Sequence, residues 1–338
     1  MDSGFQDEAH LEEYLSRPSA SDVDAVRQHS GDFLILGAGG KMGPTLAMRI
    51  RRAVQLAGTS QKVIAVSRFS DPRATASLEA AGVHILSVDL MANDAMQQLP
   101  DAPNVIYLAG RKFGSSGDPS LTWAMNVLLP ERVGVRYRNS RIVALSSGNI
   151  YPLMPVESGG ATEGDAVGPV GEYAQTVLGR ERIFEYCSRQ FGTKVVTIRL
   201  NYAVEPRYGV LADLAAKVHA GEPIDVTMPA VNIVWQGDAN SIILRSFELC
   251  ANLPRILNLT GPEIHRVRDL ARGFGKPVEF TGTEAPTALL NNASFCWKHF
   301  GAPEHNVEQM LRWTYDWLEH GGRQLGKPTH FEARDGKF

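Results

Sequence analysis

The chain is poor in cysteine. Its three, Cys187, Cys250 and Cys296, lie far apart in 338 residues and form no C-x-x-C pair. A disulfide framework and a zinc ribbon are thereby excluded, and a reducing, cytoplasmic setting is expected. Charge of one sign is not in excess either: Lys+Arg 34 against Asp+Glu 37 leaves a net charge of -3. The basic face on which nucleic-acid binding rests is missing, so no nucleic-acid partner is expected. No stretch approaches the roughly 18 consecutive apolar residues of a membrane span, and no membrane partner is expected. The opening residues are acidic and polar, unlike a signal peptide. There is no H-x-x-x-H, no paired Asp cluster and no Cys/His spacing, hence no expected metal. Ser147 stands in Ser-Ser-Gly-Asn and not in the G-x-S-x-G turn of a serine hydrolase. What the chain does have is a 43% apolar share, enough for a sizeable core.

Those apolar residues are ordered. Short runs at Asp32–Leu36, Val63–Val66, Val83–Val88, Val105–Leu108, Arg141–Leu145 and Val195–Leu200 read as buried strands. Helical spacing separates most of them, as at 44–56, where Leu46, Ile50 and Val54 are about four apart. Strands alternating with helices predict an α/β fold, a doubly wound parallel sheet covered on both faces. Residues 1–30 read as a helical leader packed outside the core, with Leu11, Tyr14 and Leu15 on one face. Residues 31–200 carry the alternation. From 201 to 338 it decays into mixed short elements, one late helix near 307–320 and an irregular tail. This part is expected to sit close against the first.

The sharpest motif is Gly37-Ala38-Gly39-Gly40-Lys41-Met42-Gly43, directly after the first strand and before the first long helix. Glycine permits the tight turn and the close approach of a pyrophosphate, and the helix N-terminus offers free N–H groups. In strand–turn–helix context this is a dinucleotide site. The second strand ends at Ser67-Arg68, where an acidic residue would favour NAD. Arginine suits a 2′-phosphate, so NADP is favoured and NAD remains possible. Lys41 is expected to add a second cation at the same end. Asp89 and Leu90, after the third strand, border the adenine, or Asp89 caps a helix.

At this point the sequence resembles the extended short-chain dehydrogenase/reductase superfamily, of the NAD(P)-dependent epimerase/dehydratase type. The likeness runs from about 32 to 320 and implies a Rossmann-type domain, with 201–338 mainly a smaller substrate lobe interleaved with it. Tyr107-Leu108-Ala109-Gly110 is similar to the family's stretch beside the cofactor. Lys112 resembles a lysine of UDP-galactose epimerases near the dinucleotide, and Asn126 resembles the family's helix asparagine. Leu200, at the end of Arg199-Leu200-Asn201, and Asn258-Leu259-Thr260-Gly261-Pro262 resemble later landmarks. The same resemblance makes Ser147 and Tyr173 the catalytic pair, with Tyr173 as acid/base toward a substrate hydroxyl or carbonyl.

A free tyrosine has a pKa of about 10 and needs a cation near neutrality. In the family a lysine four residues on supplies it; here that position is Val177. Three readings follow. Tyr173 works with help from Arg180, Arg111 or Lys112; a histidine such as His219, His265 or His299 takes over; or the chain is a catalytically degenerate dinucleotide-binding sensor or scaffold. The first implies hydride transfer to or from nicotinamide on a sugar or sugar-derived alcohol or ketone. Asn149, Asn201, Trp235 and Gln236 are expected to face this carbohydrate-like ligand, with Ser147 on its reacting oxygen. Arg207 and Arg266 would meet any anionic group. The family's habit of pairing through helices makes the Tyr173 helix, with Val177, Ile183 and Phe184, a candidate homodimer face.

Overall fold

A computed structural model describes residues 4–112, 114, 115 and 117–336. The first three residues of the expected leader, and the last two of the chain, lie outside the described residues.

Seven parallel strands form the central sheet: β1 (Phe33–Leu36), β2 (Val63–Ser67), β3 (His84–Ser87), β4 (Asn104–Tyr107), β5 (Arg141–Ser147), β6 (Lys194–Leu200) and β7 (Arg255–Leu259). Their spatial order is β7-β6-β5-β4-β1-β2-β3. The order reverses between β1 and β4, which opens a crevice at their carboxyl ends, the place where such sheets bind ligands. Both faces of the sheet are covered, so its strands are apolar without alternation. On one side lie α2 (Ala20–Gln28), α3 (Gly43–Ala57) and α9 (Gln236–Arg245), packed through Val26, Leu46, Ile50 and Ile243. On the other lie α6 (Leu129–Arg136) and α7 (Gly171–Phe191), through Leu129, Val133 and Phe184.

Six of the seven strands coincide with the predicted runs. The seventh, β7, comes from beyond residue 201 and pairs with β6 from Arg255↔Val196 to Leu259↔Leu200. The smaller lobe is therefore threaded back into the sheet. Its own core gathers around α8 (Val210–Ala220) and α10 (Val307–Glu319), with Trp235, Trp313 and Trp317 at the centre. Among the described residues no helix is long and apolar enough to cross a membrane.

The N-terminal segment is a correction. Helix α1 (Glu8–Leu15) does not lie outside the core: Leu11 and Leu15 are fully buried within the lobe's cluster, and Phe5 joins them. Helix α2 is locked by a buried ion pair from Asp22 to Arg49 of α3, at 2.6 Å, and Ser241 of α9 donates to the same carboxylate at 2.6 Å. A short amphipathic pattern shows that a face is buried, but not against what.

Leu11→Ala, although outside the sheet domain, is expected to cost about 2–5 kcal/mol of unfolding free energy, since it empties a closed core position. Urea denaturation measures this; a change below about 0.5 kcal/mol would mean the leader is not part of the cooperative unit.

Candidate active site

The glycine loop is built for close approach. Gly37 has φ +88°, and a Cβ there would lie 2.6 Å from the backbone N of Ala109. One on Gly43 would lie 2.3 Å from the carbonyl oxygen of Ala38. These two glycines let the loop rest on the end of β4 and let α3 pack against its own strand. Leu108, Ala109 and Gly110 thus border the loop, as expected. Gly39 faces Ser67, whose Oγ is 2.6 Å from where its Cβ would be. Phe69, which the sequence reading passed over, stands beside the same spot with φ +46°, a conformation uncommon for a bulky residue. Arg68 next to it is exposed. Asp89 is exposed and accepts from the N–H of Met91 at 3.0 Å, so it caps its own turn, while Leu90 is buried. These residues fit a dinucleotide: the helix N-terminus carries no side-chain cap, which leaves its free N–H groups for a ligand.

Lys41 departs from expectation. It does not join Arg68 but reaches across to the lobe, with Nζ 3.2 Å from the centroid of the Tyr208 ring. There it lines a cleft with Met42, Lys112, Ser147, Asn149, Tyr173, Leu200, Asn201 and Gln236. The cleft therefore collects the predicted catalytic pair and most predicted substrate residues. Trp235 is the exception. Its indole is 1% exposed and packs among Phe5, Tyr14 and Trp313, because the lobe's core claims the largest apolar surface. Gln236 is also tied down, donating to Thr45 Oγ1 at 3.2 Å beneath the loop.

Ser147 ends β5 and caps the following turn; its Oγ accepts from the N–H of Asn149 at 3.2 Å and donates to Asn149 Oδ1 at 2.9 Å. It also hydrogen-bonds the phenol of Tyr173 on α7. Burial pushes the Tyr173 pKa above its ordinary value, while the charge of Arg180 and the bond from Ser147 pull it down. Arg180 is one turn beyond the position of the missing lysine and is buried. Its Nη1 donates to the carbonyl of Leu145 at 2.7 Å and its Nη2 to Asn126 Oδ1 at 2.9 Å. Asn126 lies in a π-helical turn, Ala124–Leu128, a rare widening that is frequent at functional sites. It also exchanges hydrogen bonds with the backbone of Arg111, so it holds the segment after β4 and does not face the cleft.

Val177 is fully buried against Ile150, Tyr151 and Ala161. The cation that acts on Tyr173 is Arg180, and Lys112 stands near, its Nζ 5.8 Å from the tyrosine ring centroid. Desolvation lowers Lys112 to about 8. Lys41 falls to about 6, through desolvation and then the like charge of Lys112. Arg111 turns away, to the carbonyl of Gly114. None of the three histidines lines the cleft. His219 pairs with Glu319 and His299 with Glu248, while His265 lies near Glu263. Arg207 is buried between Glu205 and Glu12, and Arg266 pairs with Glu157, so neither is presented to a ligand in this cleft. The dimer candidates fare likewise: Val177 and Phe184 point inward and are fully buried.

Tyr202 and Tyr208, in the loop 201–209 that the sequence assigns to the substrate lobe, also line the cleft, and so does Thr329, which sequence reasoning missed. Tyr202 has φ +44° at the strand end. A tail with no periodicity gave no signal for Thr329.

The sequence model of the NAD dependent epimerase/dehydratase family matches residues 33–240, more than half the chain. The protein belongs to this family and is an enzyme of the epimerase/dehydratase class. No curated protein matches it in sequence. Among solved structures it resembles UDP-glucuronic acid 4-epimerase from Bacillus cereus in complex with UDP-glucuronic acid and NAD. That match has 16% identity and a TM-score of 0.71, over 86% of this chain and 99% of the other. UDP-glucose 4-epimerase from Thermus thermophilus, complexed with NAD, matches at 20% identity and TM-score 0.70, over 85% and 99%. UDP-N-acetylglucosamine 4-epimerase from Methanobrevibacter ruminantium matches at 18% and 0.72, over 86% and 99%.

The depressed lysines make a prediction. A phosphate-bearing ligand restores their charge, so dinucleotide binding at pH 8 should take up about one proton and weaken as pH rises. Calorimetry in buffers of different ionisation enthalpy checks this, and Lys41→Met should remove most of the uptake. Binding without proton exchange would show that the ligand leaves both lysines as they are.

Proposed function

We propose an NAD-dependent oxidoreductase or epimerase that acts on a sugar or sugar-derived alcohol or ketone. The observation that carries this reading is the hydrogen-bonded pair Ser147–Tyr173, set in one cleft with Lys112 and bordered by the glycine loop. Gly37, Gly39, Gly40, Met42 and Gly43 would hold the dinucleotide's pyrophosphate, with Lys41 reaching toward it. When bound, the nicotinamide supplies the hydride acceptor or donor. Tyr173 takes the proton of the substrate hydroxyl as the alcohol is oxidised and returns it on reduction. Ser147 hydrogen-bonds the substrate oxygen and orients it, its hydroxyl turning from Asn149, and Asn149 and Asn201 offer amides to neighbouring hydroxyls. Arg180, a permanent charge, and Lys112, a titrating one, favour the phenolate that the first step requires. A cleft with this pair and these cations does not favour a sensor or scaffold.

Two of the neighbours described hold NAD, and NAD is the cofactor proposed. They lend no support to the NADP preference expected from Ser67 and Arg68. The exposed Arg68 at the end of β2 is what supports tolerance of NADP. A cytoplasmic setting accords with the three free cysteines. Pairing of two copies is supported by exposed apolar side chains on the helices flanking β5: Leu121, Trp123, Leu128, Val135 and Tyr186.

Tyr173→Phe should lower kcat by about 10²–10⁴-fold with cofactor affinity unchanged. Lys112→Met should move the Tyr173 limb of the pH–rate profile to higher pH, since one cation favouring the phenolate is gone; an unmoved limb would remove Lys112 from this role. Arg68→Ala should weaken NADP by about tenfold and NAD by less than about twofold. Equal changes for both would place Arg68 away from the ribose.

A further inference from the structure

The neighbours are covered almost completely by this chain, whereas about a seventh of this chain has no counterpart in them. The C-terminal segment 323–336 runs beside the cleft and is anchored at every step. Gln324 Nε2 donates to the carbonyl of Pro206 at 3.1 Å, and the N–H of Leu325 to that of Arg207 at 3.0 Å. Thr329 lines the cleft and is 2% exposed; its N–H and Oγ both donate to the buried carboxylate of Asp213, at 2.8 and 2.6 Å. Phe331 is buried in the lobe's core. Beyond it, Arg334 donates to the carbonyl and the hydroxyl of Thr287 at 2.7 and 2.6 Å. Gly336 then closes on the first residue of α7: a Cβ on Gly171 would lie 2.3 Å from its carbonyl oxygen. The segment is thus a strap from the lobe to the start of the helix that carries Tyr173.

The strap divides space. The cleft of Ser147 and Tyr173 has a volume of about 180 Å³. A second cavity of about 40 Å³ lies beside it and shares Asn149 and Tyr202 with it, but its remaining wall includes Ala333, Arg334 and Gly336. A nucleoside diphosphate sugar carries a nucleoside and two phosphates beyond its sugar unit. The lobe's arginines do not meet them: Arg207 is held by Glu205 and Glu12, and Arg334 by Thr287. The cations at the mouth are Lys41 of the glycine loop, Lys112 after β4 and the exposed Lys327 of the strap, which acts on Lys41. Lys41 is engaged by the Tyr208 ring, at 3.2 Å from its centroid.

We infer that the strap sets the substrate class: it walls off the lobe side of the cleft, and the substrate is a free polyhydroxylated alcohol or ketone of about one sugar unit, not a nucleotide-linked sugar. This inference rests on the enzymatic reading above for the substrate's chemistry, but not for the exclusion.

The test titrates the full chain, saturated with NAD, with UDP-glucose and with UDP-glucuronic acid by calorimetry. No binding is expected up to about 1 mM. Two variants open the wall: Arg334→Ala, and a chain ending at Glu332, which keeps Thr329 and Phe331. Each is checked by thermal unfolding, and each should bind UDP-glucose at least about tenfold more tightly than the full chain. Binding by the full chain with a Kd below about 0.1 mM would overturn the exclusion. So would a folded variant that binds no better. In parallel, free sugars, their acids and their alcohols are offered with NAD and followed by nicotinamide absorbance and by chromatography of the sugars, which also reads an epimerisation that returns the hydride. Turnover lost in Tyr173→Phe supports the substrate class. Absence of turnover across the panel would sink the enzymatic reading and the substrate class together, while the titration still decides the strap.

Discussion

The guanidinium of Arg180 is the fastening on which the site depends. It leaves the middle of α7, enters the crevice between β4 and β5, and bonds at once to the end of β5 and to the π-helical turn that holds the segment after β4. Gly110 has to be glycine for this reason, since a Cβ there would lie 2.2 Å from Nη2 of Arg180. A second tie lies deeper on the same helix. Glu181 accepts two bonds from Arg199 of β6, at 3.0 and 2.8 Å, and one from Ser146 of β5 at 2.5 Å. Arg199 continues to Tyr151, and Tyr151 to Asn258 of β7. Buried charges of this kind are weak evidence for net stability, because desolvation opposes the Coulomb gain. What they do here is fix geometry. Four strands and the helix of Tyr173 are held in one register, so Ser147 and Tyr173 meet without either being distorted.

That rigidity has an electrostatic consequence. Arg180 is always charged, so part of the field on Tyr173 is constant with pH. Lys112, which burial has brought to about 8, lies 5.8 Å from the centre of the Tyr173 ring, and its charge in turn lowers Lys41, at about 6. Desolvated lysines in a cleft suit an anion, because a phosphate that enters favours their charged form.

Much of the frame was legible. Burial on both faces of a parallel sheet writes itself as short apolar runs, and six strands, the glycine loop and the late helix stand where those runs put them. Ser147 and Tyr173 were legible too, by position after β5 and on the next helix. What escaped was everything decided by distant partners. Strand β7 is no more apolar than several loops, and only its pairing with β6 makes it a strand. Trp235 carries the chemistry of a sugar platform, yet Phe5 and Trp313 take it into the core. Lys41 looked like a neighbour of Arg68 because both follow glycine-loop logic; the nearby Tyr208 ring draws it the other way. A tail without periodicity cannot announce that it is an active-site wall.

Val177, four residues after Tyr173, packs in an apolar setting. Val177 shares an apolar cluster with Ile150 and Tyr151, and that cluster carries the turn that begins at Ser147. A lysine at this position would either be desolvated among those side chains or push the turn aside. The charge that acts on Tyr173 comes from Arg180, and Lys112, on the segment after β4, stands near its ring. The cleft of Ser147 and Tyr173 opens at the sheet's carboxyl edge, and the C-terminal segment runs beside it from the lobe to Gly171. Because the strap touches the catalytic helix at its first residue and Thr329 touches the cleft, changing the tail alters the space without altering Ser147, Tyr173 or the clamp that holds them.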